Sequence, residues 1–216
     1  MSIRMIQQFQ AIINIIIVTF AITSLSVYAS TLCSNMSSAT YTINKTWNNQ
    51  TVNETQNVDI TLCYDTNLTI KVSAPFYDDP KLPDMSQNPG TMDKLYDYEV
   101  VEVFLLGSNE HYLEVELGPR GQYLVLQLAG YRNVTRSLID IPHYQAQIDG
   151  HRWHGLATIP NDLLPEKITH FNAYAIHGSN ETRQYMSLFP APYNDSNYTQ
   201  PDFHRLELFG QIDLFK

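Results

Sequence analysis

One stretch of the sequence constrains the fold more than any other. Between residues 98 and 128, three apolar-rich runs alternate with two short segments, GSNE and GPRG, that are rich in turn-forming residues. A four-residue connection joins antiparallel neighbours, because a parallel pair needs a crossover of roughly a dozen residues or more. The stretch therefore predicts a three-stranded antiparallel meander. The predicted strands are 98–106, 111–117 and 122–128.

Shorter runs of the same kind occur on both sides of the meander. No segment shows a sustained period of 3.6 residues, and a proline-rich loop spans 78–93. NDLL at 161–164 predicts one helical turn. The chain is therefore predicted to be all-β, an antiparallel β-sandwich with one or two short helical turns and a single domain over 41–216. The other predicted strands are 58–62, 68–72, 144–149, 152–159, 171–177, 185–189 and 202–209.

Residues 1–29 have the layout of a secretory signal peptide. Arg4 is the only charge before an apolar run from Ala11 to Val27, and Val27 and Ala29 supply small side chains at the cleavage site. Cleavage after Ala29 would make the protein secreted and extracellular, with no membrane segment left. The alternative is an uncleaved anchor, because the apolar run is close to the shortest that spans a bilayer. Residues 30–40 are interpreted as a glycosylated N-terminal arm.

Asn-x-Ser/Thr sequons agree with that destination. Nine of them follow the predicted signal peptide, which indicates a secreted glycoprotein. A glycan must stay in solvent, so these positions are expected in surface loops or on exposed strand faces. The acceptor residues are Asn35, Asn44, Asn49, Asn53, Asn67, Asn133, Asn180, Asn194 and Asn197.

The chain contains two cysteines, Cys33 and Cys63. In an oxidising compartment two cysteines are expected to form one disulfide bond. The alternative is a pair of unrelated thiols. Neither cysteine belongs to a CxxC motif, so the sequence predicts neither redox catalysis nor structural zinc.

The charge balance excludes some partners. The sequence has 13 Lys and Arg against 22 Asp and Glu, a formal net charge of -9. Nucleic acids and anionic lipid surfaces need a basic face, so neither is a predicted partner. The GxSxG, GxGxxG and P-loop patterns are absent from the sequence, and no catalytic residue, cofactor or metal site is predicted.

Candidate ligand-binding residues come from the strands and their flanks. Glu102 shares a predicted strand face with Tyr98 and Phe104, so it either has a buried partner or lines a pocket. Aromatic rings can stack on the apolar face of a sugar, although the same rings also fill sandwich cores. Glu114 and Glu116 share a face of their predicted strand, a spacing compatible with a glycosidase pair, although carboxylates are also common on the solvent face of a sheet. The candidate ligand-binding residues are Tyr96, Tyr98, Glu102, Trp153 and His177.

Several blocks also carry a resemblance. LYDYEVVEVFLL (95–106) and HYLEVELGPRGQYLVLQLAGYRNV (111–134), with shorter blocks at 72–80, 171–179 and 201–209, resemble the uncharacterised animal proteins called "chromosome 4 open reading frame 33". That family is similar in turn to the jelly-roll carbohydrate-binding modules of family 9. The resemblance implies that Tyr96 stacks on a sugar, where the related modules have Trp, and that Glu102 bonds its hydroxyl groups.

Together, these observations predict a secreted glycoprotein whose β-sandwich binds a ligand, with carbohydrate as the expected class, without catalysing a reaction. Two alternatives remain open at this point. The protein could be a glycan-acting enzyme that uses Glu102 with a second acid, or a structural or interaction protein with no small ligand.

Overall fold

The computed structural model describes residue 33 and residues 36–83 and 88–216. The predicted signal peptide and the sequon at Asn35 lie outside the described residues. Residues 37–216 form one compact structural unit. Cys33 and Cys63 are both disulfide-bonded, and the chain has no other cysteine, so the predicted pairing is confirmed. In the described part of the chain, no helix has the length and apolarity to cross a membrane.

The strands form two sheets, which confirms the predicted β-sandwich. The first sheet has the order β1-β2-β3-β10-β9, and the second has the order β12-β11-β5-β6-β7-β4, with β8 beside β7 and β13 beside β11. Neighbours are antiparallel except β4 and β7. The strands in the described residues are β1 (Ser37–Ile43), β2 (Val58–Tyr64), β3 (Leu68–Pro75), β4 (Gly90–Thr91), β5 (Val100–Leu106), β6 (His111–Leu117), β7 (Gln122–Ala129), β8 (Val134–Arg136), β9 (His143–Asp149), β10 (Arg152–Ile159), β11 (His170–His177), β12 (Gln184–Ser187) and β13 (Gly210–Gln211).

The predicted meander is the centre of the second sheet. Strands β5, β6 and β7 pair in sequence order, with Glu102 opposite Glu116 and Phe104 opposite Glu114. Gly121, in the second turn, has a φ of 92°, a conformation that glycine adopts without the steric cost of a Cβ atom. Turn length fixes this register, and the register decides which side chains become neighbours.

Alternation along the strands gives the second sheet two different faces. Val101, Val103 and Leu105 of β5 pack towards the first sheet in the main apolar core. Val100 and Phe104 point the other way, into a smaller apolar cluster that Phe203 and Phe209 cover from a distant part of the chain. The outer face of the second sheet is therefore covered by loops.

Three details differ from the sequence-based expectations. Strand β1 begins at Ser37, inside the segment interpreted as an arm, because the alternating residues of SSATYTI pair along β2. The predicted strand 202–209 is wrong: it is irregular, since its aromatic side chains pack over the second sheet, and only β13 continues it. Short 3-10 turns are more numerous than predicted. In the described residues they are Glu54–Gln56, Leu95–Asp97, Ser108–Glu110, Asn161–Leu163, Asn180–Thr182 and Leu206–Leu208.

Candidate functional site

A cleft of about 460 Å³ opens on the outer face of the second sheet. Strands β5, β6, β7 and β11 form its floor, and loops from four separate parts of the chain form its walls. The size suits a small ligand, since typical ligand pockets span roughly 300–1,000 Å³. The lining residues are Asp93, Tyr96, Asp97, Glu102, Glu114, Leu124, Leu126, Leu128, Arg132, Val134, Ser137, Ile176, Arg183, Tyr185, Pro201, Phe203 and His204.

Three carboxyl groups lie together in and under the floor. Glu102 is 2% exposed, Glu114 is 4% exposed and Glu116 is fully buried. Glu102 stands directly opposite Glu116, and Glu114 lies two residues from Glu116 on the same face of β6. Glu114 and Glu116 interact with each other, and the backbone of Tyr96 interacts with Glu116. Apart from these contacts, Oε2 of Glu114 and both carboxyl oxygens of Glu116 have no hydrogen-bond partner within the described residues. We call these three residues the carboxyl cluster.

Burial keeps the carboxyl cluster protonated to an unusually high pH. Loss of solvent raises the pKa of Glu114 to about 7, with only partial compensation from a hydrogen bond with Glu116 and from the charge of Arg132. The pKa of Glu102 and that of Glu116 are raised well above the usual range, first by burial and then by the neighbouring glutamates. Like charges this close cannot all ionise, so the cluster retains protons near neutral pH.

Two arginines line the cleft, but they donate their hydrogen bonds to groups other than the carboxyl cluster. Arg183 donates from Nη1 to the backbone oxygen of Asp97 (2.9 Å) and from Nη2 to that of Tyr96. Arg132 forms an ion pair with Asp202 at 2.8 Å. Both charges lower the pKa of Glu102 through space. Their hydrogen bonds hold the surrounding loops in place and leave the carboxyl cluster without a bonded cation.

Tyr96 stands at the rim of the cleft. It is the middle residue of the 3-10 turn Leu95–Asp97, and Leu95 beside it is fully buried and anchors the turn. The Tyr96 side chain is 41% exposed. Because Arg183 fixes its backbone, the tyrosine ring is presented to solvent from a rigid position.

The opposite wall comes from the segment 201–204. Phe203 stacks on Tyr174 of β11 with ring centroids 3.9 Å apart, and Nδ1 of His204 lies 2.7 Å from the Tyr112 hydroxyl. Burial and, to a smaller extent, the charge of Arg132 lower the pKa of His204 to about 4, so this histidine is neutral at pH 7. The wall is therefore held by aromatic packing and by a neutral hydrogen bond.

The structure brings together Tyr96 and Glu102 of the predicted set, but not the other three. Tyr98 is half-buried ahead of β5 and does not line the cleft. Trp153 is fully buried in the core between the sheets. His177 lies on the core-facing side of β11, away from His204, and stacks on Tyr77 at 3.9 Å. Trp153, a candidate ligand-binding residue, does not line the cleft with Tyr96 and Glu102, because strand alternation turns it inward.

Near His177, a second buried acid has a structural role. Glu99 accepts hydrogen bonds from the backbone N–H groups of Tyr77 and Asp78, at 3.2 and 2.7 Å. Burial raises the pKa of Glu99 to about 7. In the same region Arg120 forms an ion pair with Asp78 at 2.9 Å. The space beside Glu99 is about 10 Å³, room for one water at most.

Comparison with known proteins identifies relatives over most of the chain. The chain is 45% identical over 147 residues to the UPF0462 protein C4orf33 homologue of Rattus norvegicus, which covers 67% of this chain and 73% of that protein. The Danio rerio homologue is 45% identical over 150 residues (68% and 75%). The Homo sapiens protein is 42% identical over 152 residues (69% and 75%). No protein-family profile matches the chain.

The chain belongs to the UPF0462 protein C4orf33 family. The resemblance predicted from the sequence blocks is thereby confirmed. At this level of identity over three quarters of the relatives' length, the sandwich is shared by the family.

Two solved structures are similar to this chain over most of its length. A Bacteroides uniformis protein to which carbohydrate binding is ascribed superposes with a TM-score of 0.58 and 12% identity, over 80% of this chain and 84% of that one. A family 9 carbohydrate-binding module from Caldicellulosiruptor kristjanssonii, solved with cellotriose, has a TM-score of 0.45 and 14% identity over 79% and 90%. At these identities the first likeness establishes the fold alone.

Most residues that line the cleft were not predicted from the sequence. A signal for the carboxyl cluster was present, because the four-residue turn between β5 and β6 already sets Glu116 opposite Glu102. Arg132, Arg183, Phe203 and His204 lie in loops or short segments without periodicity. No local pattern indicated that these four would converge on the outer face of the second sheet.

Proposed function

We propose that this protein is a secreted glycoprotein that binds carbohydrate in the cleft on the second sheet. One observation carries the proposal: an exposed aromatic ring, Tyr96, stands over a floor that contains the buried carboxyl groups of Glu102 and Glu114. A sugar presents an apolar ring face for stacking and hydroxyl groups that donate to carboxyl oxygens. The fold shared with the Bacteroides uniformis protein supports the same class of ligand.

A glycan array probed with the purified protein tests this function. We expect binding to one group of related glycans and competition by the free sugar. A matched array with Glu102→Gln identifies signals that depend on the cleft. An array on which the folded protein binds nothing would contradict carbohydrate binding and favour a structural or interaction protein.

The surface supports the glycoprotein part of the proposal. Eight of the nine sequon asparagines lie in the described residues, and all eight are exposed. Expressed in secretory cells, the protein should leave the cell with Ser30 as its first residue, and enzymatic deglycosylation should lower its mass. Asn133→Gln should remove one glycan, whereas Asn88→Gln, which is outside any sequon, should remove none. Protein retained in the cytosol at unchanged mass would contradict secretion.

A second candidate function is hydrolysis of the bound glycan, and the carboxyl cluster favours it. A glycosidase needs two carboxyl groups, one protonated and one ionised, spaced about 5–10 Å apart. Glu102 and Glu114 both line the cleft, and their raised pKa values allow one to hold a proton at neutral pH. Incubation with the glycan selected on the array should then release new reducing ends, and Glu114→Gln should abolish the release. Binding without turnover would exclude this candidate.

A further inference from the structure

The chemistry of the cleft floor favours hydrogen-bond donors that carry charge. Glu102 and Glu114 face the cleft, and Oε2 of Glu114 is buried with no partner other than Glu116 in the described residues. A hydroxyl group can donate one neutral hydrogen bond to such an oxygen. An ammonium group donates three and brings a positive charge, and charge-assisted bonds of this kind are roughly twice as strong.

The protein supplies few cations of its own to this site. Four acidic side chains line the cleft against Arg132 and Arg183. The two guanidinium groups make their hydrogen bonds to loop carbonyls, to the Tyr131 hydroxyl or to Asp202. Those bonds leave the carboxyl groups of Glu102 and Glu114 free to take a cation from a ligand.

The other groups around the site do not change this balance. His204 is neutral at pH 7 because burial lowers its pKa. Tyr96 is protonated at pH 7, since burial raises its pKa above the ordinary value of 10. The titratable and charged groups that line or directly back the cleft are Asp93, Tyr96, Asp97, Glu102, Tyr112, Glu114, Glu116, Arg132, Tyr174, Arg183, Tyr185, Asp202 and His204.

A metal ion is a poorer match than an organic cation. The described residues contain no group of three or more side chains arranged to hold a metal ion. The cleft is also much larger than a bare ion, and its apolar residues Leu124, Leu126 and Ile176 would face empty space around one. A ligand with a carbon ring and one amine uses both the apolar and the acidic parts of the floor.

We propose that the cleft selects amino sugars, with the protonated amine placed against Glu102 and Glu114; this inference rests on the carbohydrate-binding function proposed above. Approach of the ammonium group favours the ionised carboxylates. The carboxyl cluster therefore releases protons to solvent when the ligand binds.

Three sugars that differ at one position test the selectivity. Binding of glucosamine, N-acetylglucosamine and glucose is measured by ligand-observed NMR titration at pH 6.5 in buffers without amines. We expect glucosamine to bind about tenfold or more tightly than the other two, as charge-assisted bonding predicts. Calorimetry in two buffers of different ionisation enthalpy should show proton release for glucosamine alone.

Variants separate the cleft from general attraction to an acidic protein. Glu114→Gln should remove the preference for glucosamine and reduce the proton release. Glu54→Gln removes one exposed carboxyl group from the turn Glu54–Gln56, outside the cleft, and should change neither. If Glu114→Gln fails to fold, Glu102→Gln serves as the second cleft variant, and the proton measurement on the unchanged protein needs no variant.

The outcomes distinguish the selectivity for amino sugars from the carbohydrate binding on which it rests. Equal or tighter binding of glucose or N-acetylglucosamine would overturn the amino-sugar inference and leave carbohydrate binding in place. If none of the three sugars binds but a neutral glycan binds on the array, the amino-sugar inference is likewise wrong and carbohydrate binding stands. If the array is also blank, both the inference and the proposed function are wrong.

Discussion

At the scale of single residues, the carboxyl cluster is the unusual feature of this protein. A buried carboxyl group costs several kcal/mol unless it is protonated or bonded to a partner. Glu99 meets that need through backbone N–H groups, whereas in the described residues Oε2 of Glu114 and both oxygens of Glu116 have no partner beyond each other and the Tyr96 backbone. Residues that weaken the fold in this way are expected where a ligand supplies the missing contacts.

Replacement of Glu102 separates a structural role from a binding role. Glu102→Gln removes a buried acid with two acidic neighbours, so we expect a melting temperature equal to or above that of the unchanged protein. The same variant should weaken binding of the array-selected glycan by roughly 1.5–3 kcal/mol, the value of a hydrogen bond to a charged group. Thermal melts and titrations on both proteins measure the two effects. A large loss of stability with unchanged affinity would place Glu102 in the structural core.

Replacement of Tyr96 tests stacking at the rim. Tyr96→Ala removes a side chain that is 41% exposed, so the fold should be unaffected, while affinity for the same glycan should fall by about 1 kcal/mol or more. Tyr193→Ala is the matched control, because Tyr193 is 57% exposed and does not line the cleft. Equal affinities for the two variants would show that Tyr96 makes no contact with the ligand.

At the scale of elements, strand alternation explains both what the site contains and what it excludes. On β5, Val101 and Val103 enter the core while Glu102 faces the cleft. On β10, Trp153 points into the core, and Gly155, on the same face, leaves room for its ring and for Tyr144. A Cβ atom on Gly155 would lie 2.9 Å from the Trp153 ring and 3.2 Å from the Tyr144 hydroxyl.

A methyl group at Gly155 therefore tests the position of Trp153. Gly155→Ala should lower the free energy of unfolding by about 1–3 kcal/mol through overpacking, with ligand affinity unchanged. In the double variant with Trp153→Phe, the smaller ring should relieve part of that loss, so the two effects should not add. Chemical denaturation of the four proteins measures the coupling. Simple additivity would mean that the two side chains do not meet.

At the scale of the whole molecule, buried titratable groups set how stability depends on pH. Glu99 and Glu114 have pKa values raised to about 7, and those of Glu102 and Glu116 are raised well above the usual range. The folded protein keeps these protons at pH values where the unfolded chain has lost them. This stabilisation is complete below about pH 4 and is lost as pH rises through 7. His177 and His204, whose pKa values are lowered to about 4, act in the opposite direction between pH 4 and 6.5.

The melting temperature should therefore fall as pH rises from 7.5 to 8.5, where both histidines are almost wholly neutral in the folded and unfolded states and the buried carboxyl groups still titrate. Each unit by which a pKa is raised corresponds to about 1.4 kcal/mol. Glu116→Gln should flatten the dependence, whereas Glu54→Gln, at an exposed position, should leave it unchanged. Scanning calorimetry at a series of pH values provides the measurement. A melting temperature that rises over this interval would contradict the buried, protonated state of the carboxyl cluster.

The sequence by itself determined the features that depend on neighbouring residues. The strand bounds 111–117 and 152–159 were predicted as the structure has them, because alternation and flanking turns are local signals. Placing Glu102 on one face with Phe104 needed only the period of a strand, and the Cys33–Cys63 bond needed only that no other cysteine exists. These predictions succeed because sterics and chain geometry fix them within a few residues.

Only the tertiary structure decided which face of each strand is core and which is cleft. Trp153 and Glu102 both lie on strands with apolar faces, and the stacking of the two sheets alone separates the buried ring from the site. The walls depend on contacts between distant segments, such as Arg183 with the backbone of Tyr96, 87 residues away. Segment 202–209 was predicted as a terminal strand, and it contains the aromatic residues Phe203 and Phe209. In the fold their burial over the second sheet outweighs strand pairing, since Phe203 and Phe209 cover apolar surface that would otherwise face water.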